Sequence, residues 1–267
     1  MRSAMLTVLR VLALVLGALL VAAASGFVEA PETPGASFSL VSPTVSLHEP
    51  VLVNFSLRNT SSKSVVADLG HNRNTLFSFS VTDPSGRRLF CPPRRQEGFG
   101  RAGDVSVQPG DSLSQTLIVD HWYTFATPGT YVLEPALTGT VTASDGSRVA
   151  LRRSEPLKLI VTPRDPGRLE RICSNLINDA VAMNVEKAMQ ATDTLSYVVD
   201  VVAVPYLARV AERREGIRVM ALAGLGRIAH QEGLERVLNL LGPKRAALGT
   251  DVRAALANIE AGAGIAD

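Results

Sequence analysis

Two cysteines and four histidines are all that 267 residues offer of the commonest metal and redox side chains. Two thiols cannot build a disulfide-dense scaffold or a zinc site of four cysteines. Four histidines leave little material for a histidine-rich metal centre. Neither sign of charge dominates: 27 Lys+Arg stand against 25 Asp+Glu, a formal net charge of +2. A nucleic-acid partner is therefore not expected, because such affinity rests on phosphate neutralisation. There is no block of like charge to make an acidic or basic tail. A GxSxG nucleophile elbow, an HExxH helix and an EF-hand loop are missing too. No catalytic residue, metal site or cofactor follows from these residues, and the expectation is a protein that is not an enzyme.

Apolar residues run unbroken for long in one place only. Arg2 and Arg10 precede 14 uncharged apolar residues, 11–24, and Ala22 and Ala24 meet the small-residue rule for cleavage before Ser25. Such a run reaches about 21 Å as a helix, short of a roughly 30 Å hydrocarbon core. Residues 1–24 read as a signal peptide, which places the protein outside the cytoplasm, periplasmic or secreted. The alternative is a retained N-terminal anchor, and only then is the membrane a partner. Without Arg2 and Arg10 the chain from Ser25 onward carries 25 basic and 25 acidic groups.

The remaining sequence changes period once. Residues 25–36 form a flexible lead-in rich in proline and small residues. From 37 to 163 the text alternates: Val51, Val53, Phe55 and Leu57 against Leu52, Asn54, Ser56 and Arg58, and Phe77, Phe79 and Val81 against Ser78 and Ser80. Period two is the mark of strands with one buried face. Asp83-Pro84-Ser85-Gly86, Pro109-Gly110-Asp111 and Pro128-Gly129 read as turns. Short strands between turns, without helices, predict a β-sandwich. From Pro166 to residue 262 the period becomes 3.6, with Leu169, Ile172, Leu176, Ile177 and Ala180 on one stripe, then Pro205, Leu207, Val210 and Ala211, then Val219, Leu222, Ala223, Leu225, Gly226, Ile228 and Ala229. Val204 and Val237, Leu207 and Leu240, and Val219 and Val252 are each 33 apart. A helix pair recurring at that interval predicts a short α-solenoid. Gly224 and Gly226 cost helix stability relative to alanine, so their small volume is expected to serve packing.

Two resemblances add to this. Ala203-Val204-Pro205-Tyr206-Leu207, followed by Arg218-Val219-Met220-Ala221-Leu222-Ala223-Gly224-Leu225-Gly226-Arg227-Ile228, resembles a HEAT or PBS-lyase-type HEAT-like repeat over about residues 184–260. That resemblance implies an interaction scaffold rather than a chemistry. Trp122-Tyr123-Thr124-Phe125 with Pro128-Gly129-Thr130-Tyr131-Val132-Leu133 resembles the late strands of immunoglobulin-like or fibronectin-like modules of secreted bacterial proteins. It implies that the Tyr131 hydroxyl braces the preceding turn. The expected architecture is a multidomain β + α chain, an N-terminal immunoglobulin-like β-sandwich followed by a short α-solenoid of HEAT-like helix pairs.

The expected function is that of a secreted, non-catalytic interaction or scaffold protein with a protein partner. Alternatives are a metal-dependent or hydrolase-like enzyme at the sandwich loops or domain junction, and a structural component of the cell envelope. Three groups of residues mark where partners and bonds are expected. Lys187, Arg218, Arg227 and Arg253 are placed along a helical groove that would favour an acidic protein segment, overhung by a loop bearing Arg94, Arg95, Phe99 and Arg101. Cys91 and Cys173, one in each domain, are a possible disulfide in an oxidising compartment. Asp68, His71, Asp120 and His121 would suit a cation if their loops met, or else form a polar network at one end of the sandwich. Asn54-Phe55-Ser56 and Asn59-Thr60-Ser61 are formal glycosylation sequons, the first awkwardly inside a strand.

Overall fold

Eleven strands and six α-helices occupy the residues that the computed structural model describes, 34–68, 76–91, 103–151, 154–213 and 215–263. The expected signal peptide lies outside them. The strands are β1 (Gly35–Leu40), β2 (Thr44–Ser46), β3 (Leu52–Arg58), β4 (Val65–Asp68), β5 (Phe77–Thr82), β6 (Arg88–Cys91), β7 (Asp104–Val107), β8 (Ser112–Ile118), β9 (Gly129–Leu137), β10 (Val141–Ala143) and β11 (Leu157–Thr162). They form a mixed β region of three sheets, ordered β1-β3-β8, β10-β4-β7 and β2-β11-β9-β5-β6. Neighbours run antiparallel except β2 and β11, which are parallel.

Alternation does what the sequence suggests. In β3, Val53, Phe55 and Leu57 are buried while Asn54 and Arg58 are exposed. Phe38, Phe55 and Phe77 form an aromatic knot with ring centroids 5.0–6.1 Å apart. Trp122 packs on Phe79, and its indole N–H donates to the Phe77 carbonyl at 3.1 Å, which satisfies a buried polar group. The Tyr131 hydroxyl donates to the Thr127 carbonyl at 2.8 Å and so holds the turn before β9. Gly86 closes the turn after β5 with a positive φ of 84°, a conformation glycine adopts without steric cost. Strand β1 begins at Gly35, inside the expected lead-in, because residues 35–40 zip onto β3.

The change to helix falls between Thr162 and Pro166. Asp165 caps the first helix by accepting the Arg168 N–H at 3.0 Å, and Pro166 takes a first-turn position, where its missing N–H removes no helical bond. The helices are α1 (Pro166–Ala180), α2 (Val185–Ser196), α3 (Val204–Arg213), α4 (Glu215–Glu232), α5 (Leu234–Leu240) and α6 (Arg245–Ala263). Helix α4 is central: α2 and α6 pack on it, as do α3 and α5. Gly224 and Gly226 make this possible. A Cβ at Gly224 would lie 2.8 Å from the Ser196 Cα, and one at Gly226 would lie 3.0 Å from the Ala255 carbonyl carbon.

Burial corrects the register of the repeat. From α2 to α4 the buried positions Ala188, Thr192 and Leu195 recur at Ala221, Leu225 and Ile228, 33 residues on. From α4 to α6 the spacing shortens to 31, with Ile217 matching Leu248 and Ala221 matching Val252. Val219 is therefore not the counterpart of Val252: it is 76% exposed, whereas Val252 is fully buried. The two regions keep separate cores, one built on Phe55, Phe79 and Leu133, the other on Leu169, Leu207 and Leu225.

Candidate functional site

A set of buried and partly buried polar groups lies where the β and helical regions meet. The end of β2 and the turn after it supply Ser46, His48 and Glu49. His48 has a φ of 74°, alone among described non-glycine residues in being positive, and that conformation is held by its ring. His48 Nδ1 lies 3.2 Å from Asp200 Oδ2, and Nε2 lies 2.9 Å from the Gln231 side-chain nitrogen on α4. A carboxylate only accepts, so Nδ1 is the donor. Asp200 is fully buried and stands before the helical turn Val201–Ala203, whose Val202 N–H it also accepts at 3.1 Å. Arg164 clamps the same carboxylate with two bonds, Nε at 2.5 Å and Nη2 at 2.9 Å. Burial pushes the Asp200 carboxyl up, but the bonds from His48, Arg164 and Val202 outweigh it and hold the group well below the usual carboxylate range.

A second clamp lies beside the first. Arg168, in the first turn of α1, donates to both oxygens of Glu49 at 2.6 and 2.9 Å and to the Thr44 carbonyl at 2.7 Å. Glu49 also accepts the Ser46 N–H at 2.8 Å, and the Ser46 hydroxyl accepts the Asp165 N–H at 2.8 Å. Bidentate arginine–carboxylate pairs of this kind fix orientation as well as charge. A third contact is aromatic. His121 stacks on Trp122 and lies 4.7 Å from the Tyr197 ring, with Nε2 3.7 Å from an oxygen of Asp193 on α2. The guanidinium of Arg227 sits 3.9 Å above Tyr197.

Each of the four expected helical cations has a neighbour in the structure. Arg227 donates to the Ser196 carbonyl and hydroxyl, both at 3.1 Å, and to the Tyr197 hydroxyl at 3.0 Å. Arg218 pairs with Asp251 at 2.5 Å and donates to the Ala211 carbonyl. Lys187 pairs with Asp179 on α1, and Arg253 lies 3.5 Å from Glu235 on α5. The four cations thus turn to four different neighbours. Arg94, Arg95, Phe99 and Arg101 lie outside the described residues, as does His71.

Cys91 and Cys173 are not joined to each other. Cys91 is buried in the β core and Cys173 in the helical core, so the expected staple gives way to two separate burials. Burial, with the nearby charges of Glu170 and Asp200 adding to it, pushes the Cys173 thiol up to about 12, which leaves it protonated and inert at neutral pH. Among the described residues, no three His, Cys, Asp or Glu side chains gather as metal ligands. Asp120 instead accepts the Val51 N–H at 2.8 Å. The first sequon lies inside β3, as expected. Asn54 is the exposed one, while Asn59 is buried and spends its amide on the Lys63 and Val107 carbonyls at 2.8 and 2.9 Å.

Nothing in the sequence marks the His48–Asp200–Arg164 cluster. Its members are far apart in the chain, and no short motif contains them. The local signal was weaker: Asp200 just before a helical start, which suggests a cap and nothing more.

No protein-family model matches the chain, and no curated protein matches it. Among solved structures it is similar to a β-glucosidase from Listeria innocua in complex with glucose, at 14% identity and a TM-score of 0.25, over 49% of this chain and 16% of that one. It is similar to the alkylpurine DNA glycosylase AlkC of Pseudomonas fluorescens bound to DNA containing an abasic site analogue, at 10% identity and a TM-score of 0.24, over 49% of this chain and 31% of that one. A third is Spo0M, a sporulation control protein from Bacillus subtilis, at 11% identity and a TM-score of 0.29, over 54% of this chain and 56% of that one. The chain spans less than two thirds of each, and likeness at this level fixes neither fold family nor activity.

Proposed function

We propose that the protein is an extracytoplasmic, non-catalytic interaction scaffold: an immunoglobulin-like sandwich joined to HEAT-like helix pairs, presenting both surfaces to a protein partner. The observation that carries this reading is the junction. Side chains that elsewhere do chemistry, His48, Asp200, Arg164, Glu49 and Arg168, are bonded to one another across the two regions and so hold two surfaces in a set relation. Lys187 and Arg253 are the expected partner-binding cations best placed to exchange partners. They are 59% and 52% exposed and make surface ion pairs, which contribute little to stability. Arg218 and Arg227 are tied into the helical packing and serve it.

The test reverses Lys187 and Arg253 to glutamate and measures capture of partners from an extract of the native host, with circular dichroism as the control for folding. The expected result is loss of a specific, acidic partner with helicity unchanged. An unaltered partner profile in a folded variant would exclude this helical surface and leave the sandwich loops.

A further inference from the structure

The two hydrophobic cores share no residue. Apolar burial within each core therefore stabilises each region by itself, and any coupling between them has to pass through the junction. Beside the contact of His121 with Tyr197, the charged contacts there gather mainly on two carboxylates. Asp200 accepts His48 from the β region and Arg164 from the segment joining the regions, besides its own Val202 N–H. Glu49 accepts Arg168 from α1 in two bonds. Each carboxylate has its charge matched by an arginine, so removing one partner leaves a buried or half-buried charge without its mate, a heavier penalty than losing an exposed pair. His48 adds a second sign of coupling. Its left-handed backbone is unfavourable for a residue with a Cβ, and both ring nitrogens are engaged by the helical region, by Asp200 and Gln231. The turn after β2 thus has this shape while the helical region is docked against it.

We infer that the pair of clamps His48–Asp200–Arg164 and Glu49–Arg168 is a latch that makes the two cores one cooperative folding unit. With the latch closed, neither core opens without the other. With it cut, each melts at its own midpoint.

The full chain carries its own two reporters. Trp122 is the only tryptophan and lies in the β core, so its fluorescence follows that region. Ellipticity at the helical band follows α1 to α6. Urea titration of the unaltered protein is expected to give coincident midpoints by the two probes, the standard sign of one cooperative unit. Asp200→Asn is expected to separate them by about 0.5 M urea or more. Because Asp200 also caps Val202, that variant alone does not separate loss of the latch from local destabilisation of the helical region, so Glu49→Gln is the deciding partner. Glu49 belongs to the β region and makes no bond inside the helical core. A latch requires that Glu49→Gln lower the helical midpoint, whether together with the tryptophan midpoint or apart from it. A helical midpoint unmoved by Glu49→Gln would overturn the inference, and so would two separate transitions in the unaltered protein.

Discussion

Gly224 and Gly216 sit in the same helix and answer opposite questions. At Gly224 a methyl group would meet the Ser196 backbone at 2.8 Å and the Leu207 side chain at 3.0 Å. Backbone cannot yield as a side-chain tip can. Overpacking of this kind costs about 1–3 kcal/mol, more than the roughly 1 kcal/mol gained by replacing glycine with alanine in a helix. Gly216 has nothing within 4 Å of the same point, so there the helical preference stands alone. Gly224→Ala is expected to lower the thermal midpoint and Gly216→Ala to raise it slightly, by at most about 1 kcal/mol. Calorimetry of the two variants side by side checks the sign, and two shifts in the same direction would refute the packing argument. The sequence alone marked Gly224 and Gly226 as small for a reason. It could not say which backbone each one faces.

Among the elements, the long alternating strands and the amphipathic helices were legible and the shortest strands were not. β3, β5, β8, β9 and β11 each carry several alternating residues, enough for the period to show. β2, β4, β6 and β7 are three or four residues long, too short to display any period, and pairing with a neighbour is what defines them. The helical repeat was legible as a recurrence but misaligned at its end, because matching letters favoured Val219 with Val252 where burial matches Ala221 with Val252. The real partner of that part of α4 is electrostatic: Arg218 reaches Asp251 on α6, and the two side chains are 33% and 42% exposed. Pairs so open to water contribute roughly 0.2–1 kcal/mol. A double-mutant cycle with Arg218→Ala and Asp251→Ala, read by urea unfolding, is expected to give a coupling energy in that range. A value above about 2 kcal/mol would mean that the pair is a structural strut. The junction cluster was invisible for a different reason. Its bonds join residues 36 to 183 positions apart, and nothing local in a sequence records such a meeting.

At the scale of the whole molecule, Asp200 ties stability to pH. Its carboxyl is depressed in the folded state, so its contribution is complete above the unfolded value of about pH 4 and is lost as pH falls through the folded one. Acid should therefore weaken the protein below about pH 4, while between about pH 5 and 8 this group adds no slope. In urea unfolding followed from about pH 7 to pH 3, Asp200→Asn is expected to flatten the acid limb and to start from a lower midpoint at neutral pH. An acid limb identical to that of the unaltered protein would place the sensitivity in other carboxylates. The parallel pairing of β2 with β11 has a consequence of another kind, one of timing. Thr44 sits beside Ile160 and Ser46 beside Thr162, so the five-stranded sheet joins the start of the β region to its last residues. A chain emerging from its N-terminus carries β2 without a neighbour until every other strand of the region has appeared. Contacts of such long sequence separation close slowly, since the loop entropy is spent before the pairing is won. The β region is therefore built to ripen late, its sheet completed only when the first residues of the helical region are about to follow.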